Sequence, residues 1–353
     1  MSAPLPLVVF EYFTAIPPSG GDSPALEGRA MRDAVVADLM ALPGIEVVVA
    51  HAPAWPLPAT LPLPRRVILR GDPEVGLRAA LREARAALVI APEQDGILER
   101  LSAIVEDEGR ILLGPSSRAV RLAADKAETS ACLAAAGLPA PPGEVIRFHH
   151  AATRLARRPL PFVLKPRDGC GGAGVILVRR RDRLGAALAA VRAATARPDL
   201  LVQEHLGGEP ASVSIVMAEG WNGALPLALN RQTIHGRSRF VYAGGLTPWR
   251  HPQAQRALGI AVKTTAALRR AAPGWRGYLG IDLVLGGDGP RILEVNPRLT
   301  TSYIGLRHVV RENLAGLIHA AALGRPLPAA LPVRGTVEFT GDGTVRRPRG
   351  GTV

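Results

Sequence analysis

Lysine is scarce in this sequence. Only three of its 43 basic residues are lysines, Lys126, Lys165 and Lys263, and all the others are arginines. A Lys ammonium is compact and can enter a crowded phosphate pocket where the wide guanidinium group of Arg would clash. Lys126 follows Asp125 at the start of a predicted helix, and Lys165 precedes a glycine-rich segment. These two lysines therefore indicate a phosphate site, whereas Lys263 is predicted to be a solvated residue within a helix.

Cysteines and long apolar runs are also scarce. Two cysteines, Cys132 and Cys170, cannot build a disulfide framework, which is typical of a reducing cytoplasm. No apolar run reaches the roughly 18 residues that a transmembrane helix needs. The segment from Met1 to Phe10 lacks the basic start and the cleavage site of a signal peptide. We therefore expect a cytoplasmic protein with no membrane partner.

The net charge of +13 raises the question of nucleic-acid binding. Against such binding, only 4% of the residues are aromatic, and the arginines are spread thinly along predicted helices without a stacking motif. The densest basic stretch, residues 346–349, lies in a Gly/Pro-rich segment that we predict to be flexible. The charge therefore favours a polyanionic small substrate, and we expect no nucleic-acid partner.

The hydropathy pattern divides the 353 residues into several units. Over residues 1–115, buried apolar strands alternate with helices, which predicts a parallel α/β sheet. Residues 116–206 are predicted to form a second unit, which carries strands that flank the glycine-rich segment and which the resemblance described below implies to be a small lid. Residues 207–330 change to strands at hairpin spacing with one long helix, which predicts an antiparallel sheet. Residues 331–353 are predicted to be a tail, so the fold class is α/β with an α+β catalytic part.

A glycine-rich loop spans Asp168 to Gly174 and contains the pattern G-x-G-x-x-G. A dinucleotide-binding loop joins a strand to a helix, but here the β-branched run Val175 to Val178 follows. The loop is therefore predicted to join two strands as a flap, whose backbone N–H groups suit a triphosphate beside Lys165. A glycine-rich hairpin that binds no ligand is the alternative.

A second polar cluster is predicted within residues 281–297, where two strands are joined by the turn Gly286 to Gly289. Antiparallel pairing across that turn brings Asp282 and Glu294 together, and the two-residue period of a strand puts Glu294 and Asn296 on one face. Two carboxylates and an amide oxygen are hard donors that suit Mg²⁺ bridging phosphates. An edge hairpin whose acidic side chains face water is the alternative.

In its two lysines, glycine-rich loop and acidic hairpin, the chain resembles the ATP-grasp superfamily of ligases. The resemblance covers about Ser116 to Ala320, and it implies an ATP-grasp fold preceded by an N-terminal parallel α/β domain. It also implies that Asp282, Glu294 and Asn296 hold Mg²⁺, or Mn²⁺ as an alternative, and that Arg298 and Lys165 are catalytic. The ATP-binding residues that it implies are Lys126, Lys165, Asp168, Gly169, Gly171, Gly172, Gly174, Gln203, Glu204, His205, Leu206 and Glu209.

One segment departs from the superfamily pattern. Gln203 to Leu206 resembles the strand end that hydrogen-bonds adenine, and an acid usually stands two residues after the glycine that follows, where it holds the ribose. Here Gly208 is followed by Glu209 and then Pro210, so the acid is displaced by one position. Glu209 is the candidate for the ribose contact.

Several short motifs are similar to those of the tyramine–glutamate ligase group, ATP-grasp enzymes of methanofuran or methylofuran biosynthesis. The motifs are Phe10–Thr14, Glu27–Met31, Gly208–Ser214, Leu229–Gln232 and Leu299–Gly305. Glu11 and Tyr12 end the first strand, where an open α/β sheet presents its ligand crevice. Together with Arg231, Gln232 and Tyr242 they are the candidate substrate residues. An ordinary strand end and a solvated hairpin are the alternatives for these two segments.

The predicted activity is ATP-dependent carboxylate–amine ligation through an acyl phosphate, joining L-glutamate to tyramine or a related aromatic amine or amino acid. Phosphoryl transfer needs positioning and charge neutralisation more than a covalent nucleophile, and Lys, Arg and Mg²⁺ ligands supply both. An ATP-grasp ligase for another amino acid or peptide is one alternative, and a non-catalytic nucleotide-binding regulator is another. The amine partner and the assembly state stay open, with a homodimer as one option.

Overall fold

A five-stranded parallel sheet forms the N-terminal part of the protein, seen in a computed structural model that describes residues 4–18, 23–61, 64–219, 223–236 and 238–348. Its elements are β1 (Leu5–Glu11), α1 (Tyr12–Ala15), α2 (Ser23–Met40), β2 (Ile45–His51), β3 (Arg65–Ile68), α3 (Pro73–Leu81), β4 (Ala86–Ile90), α4 (Ile97–Asp107) and β5 (Ile111–Leu112), with a 3-10 turn at Gln94–Gly96. The strand order is β3-β2-β1-β4-β5, and every pairing is parallel. The predicted parallel sheet is confirmed.

The apolar runs of β1 and β4 are buried on both faces of this sheet. Leu7 and Val9 of β1 pack with α2, whereas Val8 and Phe10 pack with α3 and α4. The strand order reverses at β1, which lies between β2 and β4. In open α/β sheets the carboxyl ends of strands at such a reversal border a ligand crevice. The crevice is therefore expected beside the end of β1 and the segment that follows β4.

The segment predicted to be a lid is a four-stranded antiparallel sheet with two helices on one face. It follows α5 (Ser117–Ala124) and α6 (Lys126–Ala135), and comprises β6 (Gly143–Arg147), α7 (Phe148–Leu155), β7 (Phe162–Lys165), β8 (Ile176–Val178), α8 (Leu184–Arg192) and β9 (Asp199–Glu204). Its strand order is β6-β9-β7-β8, and its own hydrophobic core lies under α7 and α8. Since β7 and β8 pair antiparallel, the glycine-rich loop joins two strands as predicted.

The C-terminal part is a seven-stranded antiparallel sheet. Its elements are β10 (Glu209–Met217), β11 (Ala224–His235), β12 (Val241–Thr247), α9 (Ala254–Ala271), β13 (Gly277–Gly286), β14 (Gly289–Asn296), α10 (Ser302–Leu306), α11 (Leu314–Ala322), β15 (Val337–Phe339) and β16 (Val345–Arg346). The order is β14-β13-β10-β11-β12-β15-β16. One face packs on α9, and residues of the other face share a core with α2 and β1 of the N-terminal part. The predicted fold class, α/β with an antiparallel sheet in the C-terminal part, is confirmed by this arrangement.

The end of the chain differs from the prediction of a tail over residues 331–353. Strand β15 pairs with β12, and β16 pairs with β15, so both extend the C-terminal sheet. Phe339 is buried, which explains why this short segment is held in place. The prediction is wrong as far as residue 348, and residues 349–353 lie outside the described part. Within the described ranges, no helix is long and apolar enough to cross a membrane.

Candidate active site

Lys126 is placed at the centre of the molecule by the capping of α6. Asp125 accepts hydrogen bonds from the backbone N–H groups of Ala127 and Glu128 at 3.0 and 3.2 Å, which starts the helix at Lys126, as predicted. The buried Lys126 ammonium lies 3.2 Å from Glu294 Oε2. Burial alone would lower the pKa of Lys126, but the charges of Glu294 and other acids outweigh burial and raise the pKa.

Lys165 ends β7 and faces the same carboxylates. Its side chain is buried, and burial is the main reason why its pKa falls to about 8. The charge of Lys126 lowers the pKa further, whereas Glu294 and Asp282 act in the opposite direction. Lys126 and Lys165 thus bring two ammonium groups, which suit phosphate oxygens, to the same pair of carboxylates.

The glycine-rich loop covers the cluster formed by Lys126, Lys165, Asp282 and Glu294. It needs glycine at specific positions. Gly172 has a φ of +77° and a Cβ there would lie 3.0 Å from the Phe240 carbonyl oxygen, in the segment that links β11 to β12. Gly174 has a φ of +70°, and its Cβ would lie 2.6 Å from the Ala194 side chain. Backbone with positive φ and no side chain presents its N–H groups directly to the cleft. The Gly169 carbonyl oxygen accepts a 2.7 Å hydrogen bond from Lys126, which ties the loop to the cluster.

Asp168, predicted as an ATP contact, instead anchors the base of the loop. It accepts a 2.7 Å hydrogen bond from the Thr195 hydroxyl and a 3.2 Å hydrogen bond from the Asp95 backbone N–H group. Asp95 belongs to the 3-10 turn after β4 and has a φ of +53°. The carboxylate is therefore used to join the lid to the N-terminal part, a role that its position beside a glycine run did not indicate.

The acidic hairpin has the predicted register. Asp282 of β13 pairs directly with Glu294 of β14, and Asp282 accepts hydrogen bonds from Gln232 at 2.9 Å and from Asn296 at 3.2 Å. Burial and then the charge of Glu294 raise the pKa of Asp282 to about 8. Burial acts on Glu294 in the same direction, but Lys126 and Lys165 outweigh it and lower the pKa of Glu294.

These three oxygen-bearing side chains fit a magnesium ion that arrives with a nucleotide. Asp282 and Glu294 are direct neighbours across the two strands, and burial together with the charge of Glu294 raises the pKa of Asp282, so a divalent cation bound there would favour the charged form of both carboxylates. In the described ranges no cluster of three or more His, Cys, Asp or Glu side chains could hold a metal on its own. Mg²⁺ typically takes one or two carboxylates together with substrate phosphates. Asp282, Glu294 and Asn296 would hold it, and it would neutralise charge on the transferred phosphoryl group.

Arg298, which follows β14, is fixed by an acid from the N-terminal part. Its Nε donates to Glu93 Oε1 at 2.9 Å, its Nη2 donates to Oε2 at 3.3 Å, and its Nη1 donates to the Leu299 carbonyl oxygen at 3.1 Å. Burial opposes the charged form, but Glu93 outweighs burial and raises the pKa of Arg298. Sequence reasoning missed Glu93, although its place just after the buried strand β4 was an available signal. The guanidinium group thus stays charged and oriented at the crevice.

Two predicted ligands, Glu209 and Arg231, lie away from this cluster. Both occupy strand positions whose neighbours on the same face, such as Ala211, pack towards α9. Glu209 is exposed and lies 3.1 Å from the His251 ring. Asp282 points to the opposite face because side chains alternate along a strand. Arg231 therefore does not point towards Asp282, and the contact of Glu209 with the ribose stays a prediction.

The segment predicted to contact adenine lies at the end of β9. Gln203 is buried, and its Nε2 donates to the Pro141 carbonyl oxygen at 3.2 Å and to the Ser130 hydroxyl at 3.4 Å, while Oε1 has no partner among the described residues. Glu204 is exposed and pairs with Arg291 at 2.9 Å. His205 and Leu206 are half-buried and follow the strand. The role of this segment in binding adenine stays a prediction.

Glu11 and Tyr12, at the end of β1, have mainly structural contacts. The buried Glu11 carboxylate accepts hydrogen bonds from the backbone N–H groups of Phe13 at 3.1 Å and Thr14 at 2.8 Å, and so caps α1. A Cβ at Gly28 would lie 2.3 Å from this carboxylate, so α2 approaches β1 through a glycine. Tyr12 packs edge-on against Phe13, with ring centroids 5.4 Å apart. Burial raises the pKa of Glu11 to about 7.

We expect Glu11→Gln to flatten the pH dependence of stability between pH 5 and pH 8. The folded-state pKa is about 7 against an ordinary value of 4.5, so folding takes up a proton in this range and stability falls as the pH rises through it. That difference corresponds to roughly 3 kcal/mol in the free energy of unfolding. Urea unfolding at both pH values measures it, with the exposed Glu338→Gln as control. An unchanged slope in Glu11→Gln would contradict the assignment.

The remaining substrate candidates, Gln232 and Tyr242, lie close to Asp282 of the acidic hairpin. Gln232 contacts Asp282, as described above. Burial of Tyr242 raises its pKa, the charges of Glu27 and Asp282 add to this effect, and a hydrogen bond with Thr301 opposes it. Thr301 also donates a hydrogen bond to Glu27 Oε1. Glu27 lay in a motif quoted above, but sequence reasoning gave it no role.

Comparison with known proteins agrees with this geometry. Residues 123–302, just over half of the chain, match the family model of the ATP-grasp domain, and residues 45–120 match that of the pre ATP-grasp 3 domain. A tyramine–L-glutamate ligase of Methanocaldococcus jannaschii is 29% identical over 221 residues, or 63% of this chain. The match spans 58% of that relative, which is less than two-thirds of its length.

Two solved structures share the fold over most of the chain. A putative ATP-grasp superfamily protein from Archaeoglobus fulgidus has a TM-score of 0.68 and 25% identity, covering 95% of this chain and 92% of that one. The biotin carboxylase domain of 2-oxoglutarate carboxylase from Hydrogenobacter thermophilus, solved with MgADP, ADP and bicarbonate, has a TM-score of 0.73 and 17% identity, covering 96% and 75%. With a matching family model, a shared fold and a cluster of lysines and carboxylates under a glycine-rich loop, the chain belongs to the ATP-grasp domain family.

Proposed function

We propose that the protein is an ATP-dependent ligase that joins a carboxylate to an amine through an acyl phosphate. This proposal rests on one observation. Lys126 and Lys165 lie close to Asp282 and Glu294 beneath a glycine-rich loop. Such a site offers ammonium groups to phosphates and carboxylates to their metal ion. It opens beside Arg298, where a second substrate can meet the terminal phosphate of ATP.

The substrates that we propose are L-glutamate and tyramine, or a related aromatic amine or amino acid. Support comes from the tyramine–L-glutamate ligase relative, which is 29% identical to this chain, and from the short motifs shared with that group. The relative's group also suggests a place in methylofuran-type cofactor biosynthesis. Two residues of these motifs, Glu27 and Gln232, have side chains that reach the centre described above.

The reaction proceeds in two steps, and each step forms one bond and breaks another. An oxygen of the substrate carboxylate attacks the γ-phosphorus of ATP, the bond from that phosphorus to the bridging oxygen breaks, and ADP leaves. The amine nitrogen then attacks the acyl carbon, the carbon–oxygen bond to phosphate breaks, and the nitrogen loses a proton. Lys126 and Lys165 would neutralise the phosphates, while Arg298 would orient the carboxylate and stabilise the charge that develops on it. The glycine-rich loop would exclude water from the acyl phosphate.

The decisive assay measures ADP and phosphate release from ATP and Mg²⁺ in the presence of L-glutamate and tyramine or tyrosine. We expect release that requires L-glutamate, together with an amide product that mass spectrometry detects when the amine is added. Turnover with another amino-acid pair alone would keep the ligase activity and reject these substrates. Absence of turnover with every amino-acid and amine pair, despite binding of ATP, would favour a nucleotide-binding regulator.

A further inference from the structure

Glu27 is an acid at the edge of the active centre that lacks a cationic partner. It lies in the second turn of α2 and is only partly buried. Among the other acids nearby, Glu93 pairs with Arg298 and Glu294 pairs with Lys126, while Asp282 accepts hydrogen bonds from Gln232 and Asn296. Among the described residues Glu27 makes no ion pair, although the protein carries a net charge of +13. A partly enclosed carboxylate without a cation is a natural acceptor for a cationic ligand group.

The structure fixes Glu27 beside the loop that carries Arg298. Thr301 stands three residues after Arg298, and its hydroxyl donates a hydrogen bond to Glu27 Oε1. Both Glu27 and Thr301 influence the pKa of Tyr242, which places this residue of β12 near them. Elements from both ends of the chain therefore orient this carboxylate.

We infer that Glu27 binds the ammonium group of the amino-acid substrate whose carboxylate is received by Arg298. An amino acid carries a positive and a negative group a few bonds apart, and Glu27 and Arg298 offer the opposite charges from two segments that the hydrogen bond between Thr301 and Glu27 joins. Thr301 and Tyr242 would act as positioning residues that hold the Glu27 oxygens in place. This inference rests on the proposed ligase function and adds the element that recognises an α-amino acid.

The experiment compares L-glutamate with glutarate, which has both carboxylates but no ammonium group. Hydroxylamine serves as the amine, so that the acyl phosphate is trapped without knowledge of the natural acceptor, and ADP release is measured. In the wild type we expect kcat/KM to favour L-glutamate by about 10- to 100-fold, the effect of one hydrogen bond to a charged group. Glu27→Gln should remove most of this preference by raising KM for L-glutamate, with KM for ATP unchanged.

Two further variants make the result decisive. Thr301→Val keeps Glu27 but removes the hydroxyl that orients it, so the preference should fall by a smaller factor. Glu338→Gln, at an exposed position of β15, should match the wild type. An equal loss of rate on both substrates in Glu27→Gln, or a wild type that uses glutarate as well as L-glutamate, would overturn this inference alone. A wild type without any L-glutamate-dependent ADP release would overturn the proposed function, and this inference with it.

Discussion

Replacing Glu294 by Gln is expected to lower ATP-dependent turnover by about a thousandfold, because the charge that the carboxylate contributes to metal and phosphate binding is worth several kcal/mol. Gln has nearly the same shape, so β14 should keep its pairing with β13. Asp282→Asn should have a comparable effect, since the two carboxylates are direct neighbours across the strands. Steady-state ADP release as a function of Mg²⁺ concentration measures the change.

The hairpin itself offers a matched control for this prediction. Asp288 lies exposed in the turn between β13 and β14, so Asp288→Asn removes an equal charge from the same hairpin without touching the cluster. Its rate and Mg²⁺ dependence should equal those of the wild type. If Glu294→Gln and Asp282→Asn also turned over at the wild-type rate, the assignment of these carboxylates to the metal would be wrong. Thermal unfolding of all three variants checks that the fold is retained.

Lys165→Arg is expected to lower turnover by roughly a hundredfold, the usual effect of misplacing one group that stabilises developing charge. Lys165 is buried and shares its surroundings with Lys126, Asp282 and Glu294. An Arg side chain is longer and its planar guanidinium group needs more space, so it would displace phosphate or push the loop outward. Turnover and the affinity for MgADP, measured by calorimetry, should both fall.

Lys263→Arg provides the comparison, because Lys263 is exposed on α9. It makes the same chemical change far from the cluster and should leave turnover unchanged. Equal activity of Lys165→Arg and Lys263→Arg would mean that the Lys165 site has room for a guanidinium group. The scarcity of lysine would then have no steric basis at that position.

Features encoded by neighbouring residues could be predicted from the sequence. Capping by Asp125 places Lys126, the β-branched run after the glycine-rich loop makes the loop a link between strands, and a short turn sets Asp282 opposite Glu294. Each of these depends on residues within about one element of one another, where turn chemistry and strand period decide the structure. The roles of these residues in binding ATP and metal stay predictions.

Features that depend on distant contacts could not be predicted in this way. Glu93 and Arg298 are 205 residues apart, and Glu27 and Thr301 are 274 residues apart. Only the packing of the N-terminal sheet against the C-terminal one brings them together. The side chains of Arg231 and Glu209 lie on a face of the sheet that is decided by the register of the whole antiparallel sheet. The sequence of a single strand does not specify that register.

The pairing of Glu93 with Arg298 limits how freely the parts of this protein can be exchanged. Breaking a buried ion pair by removing one partner typically costs about 3–5 kcal/mol, because the remaining charge stays buried and uncompensated. The side chain of Arg298 is 13% exposed and that of Glu93 only 4%. A chimaera that combined residues 116–348 with the N-terminal domain of another relative would therefore need an acid at the position of Glu93. The two domains would have to change together during evolution, although each matches a family model of its own.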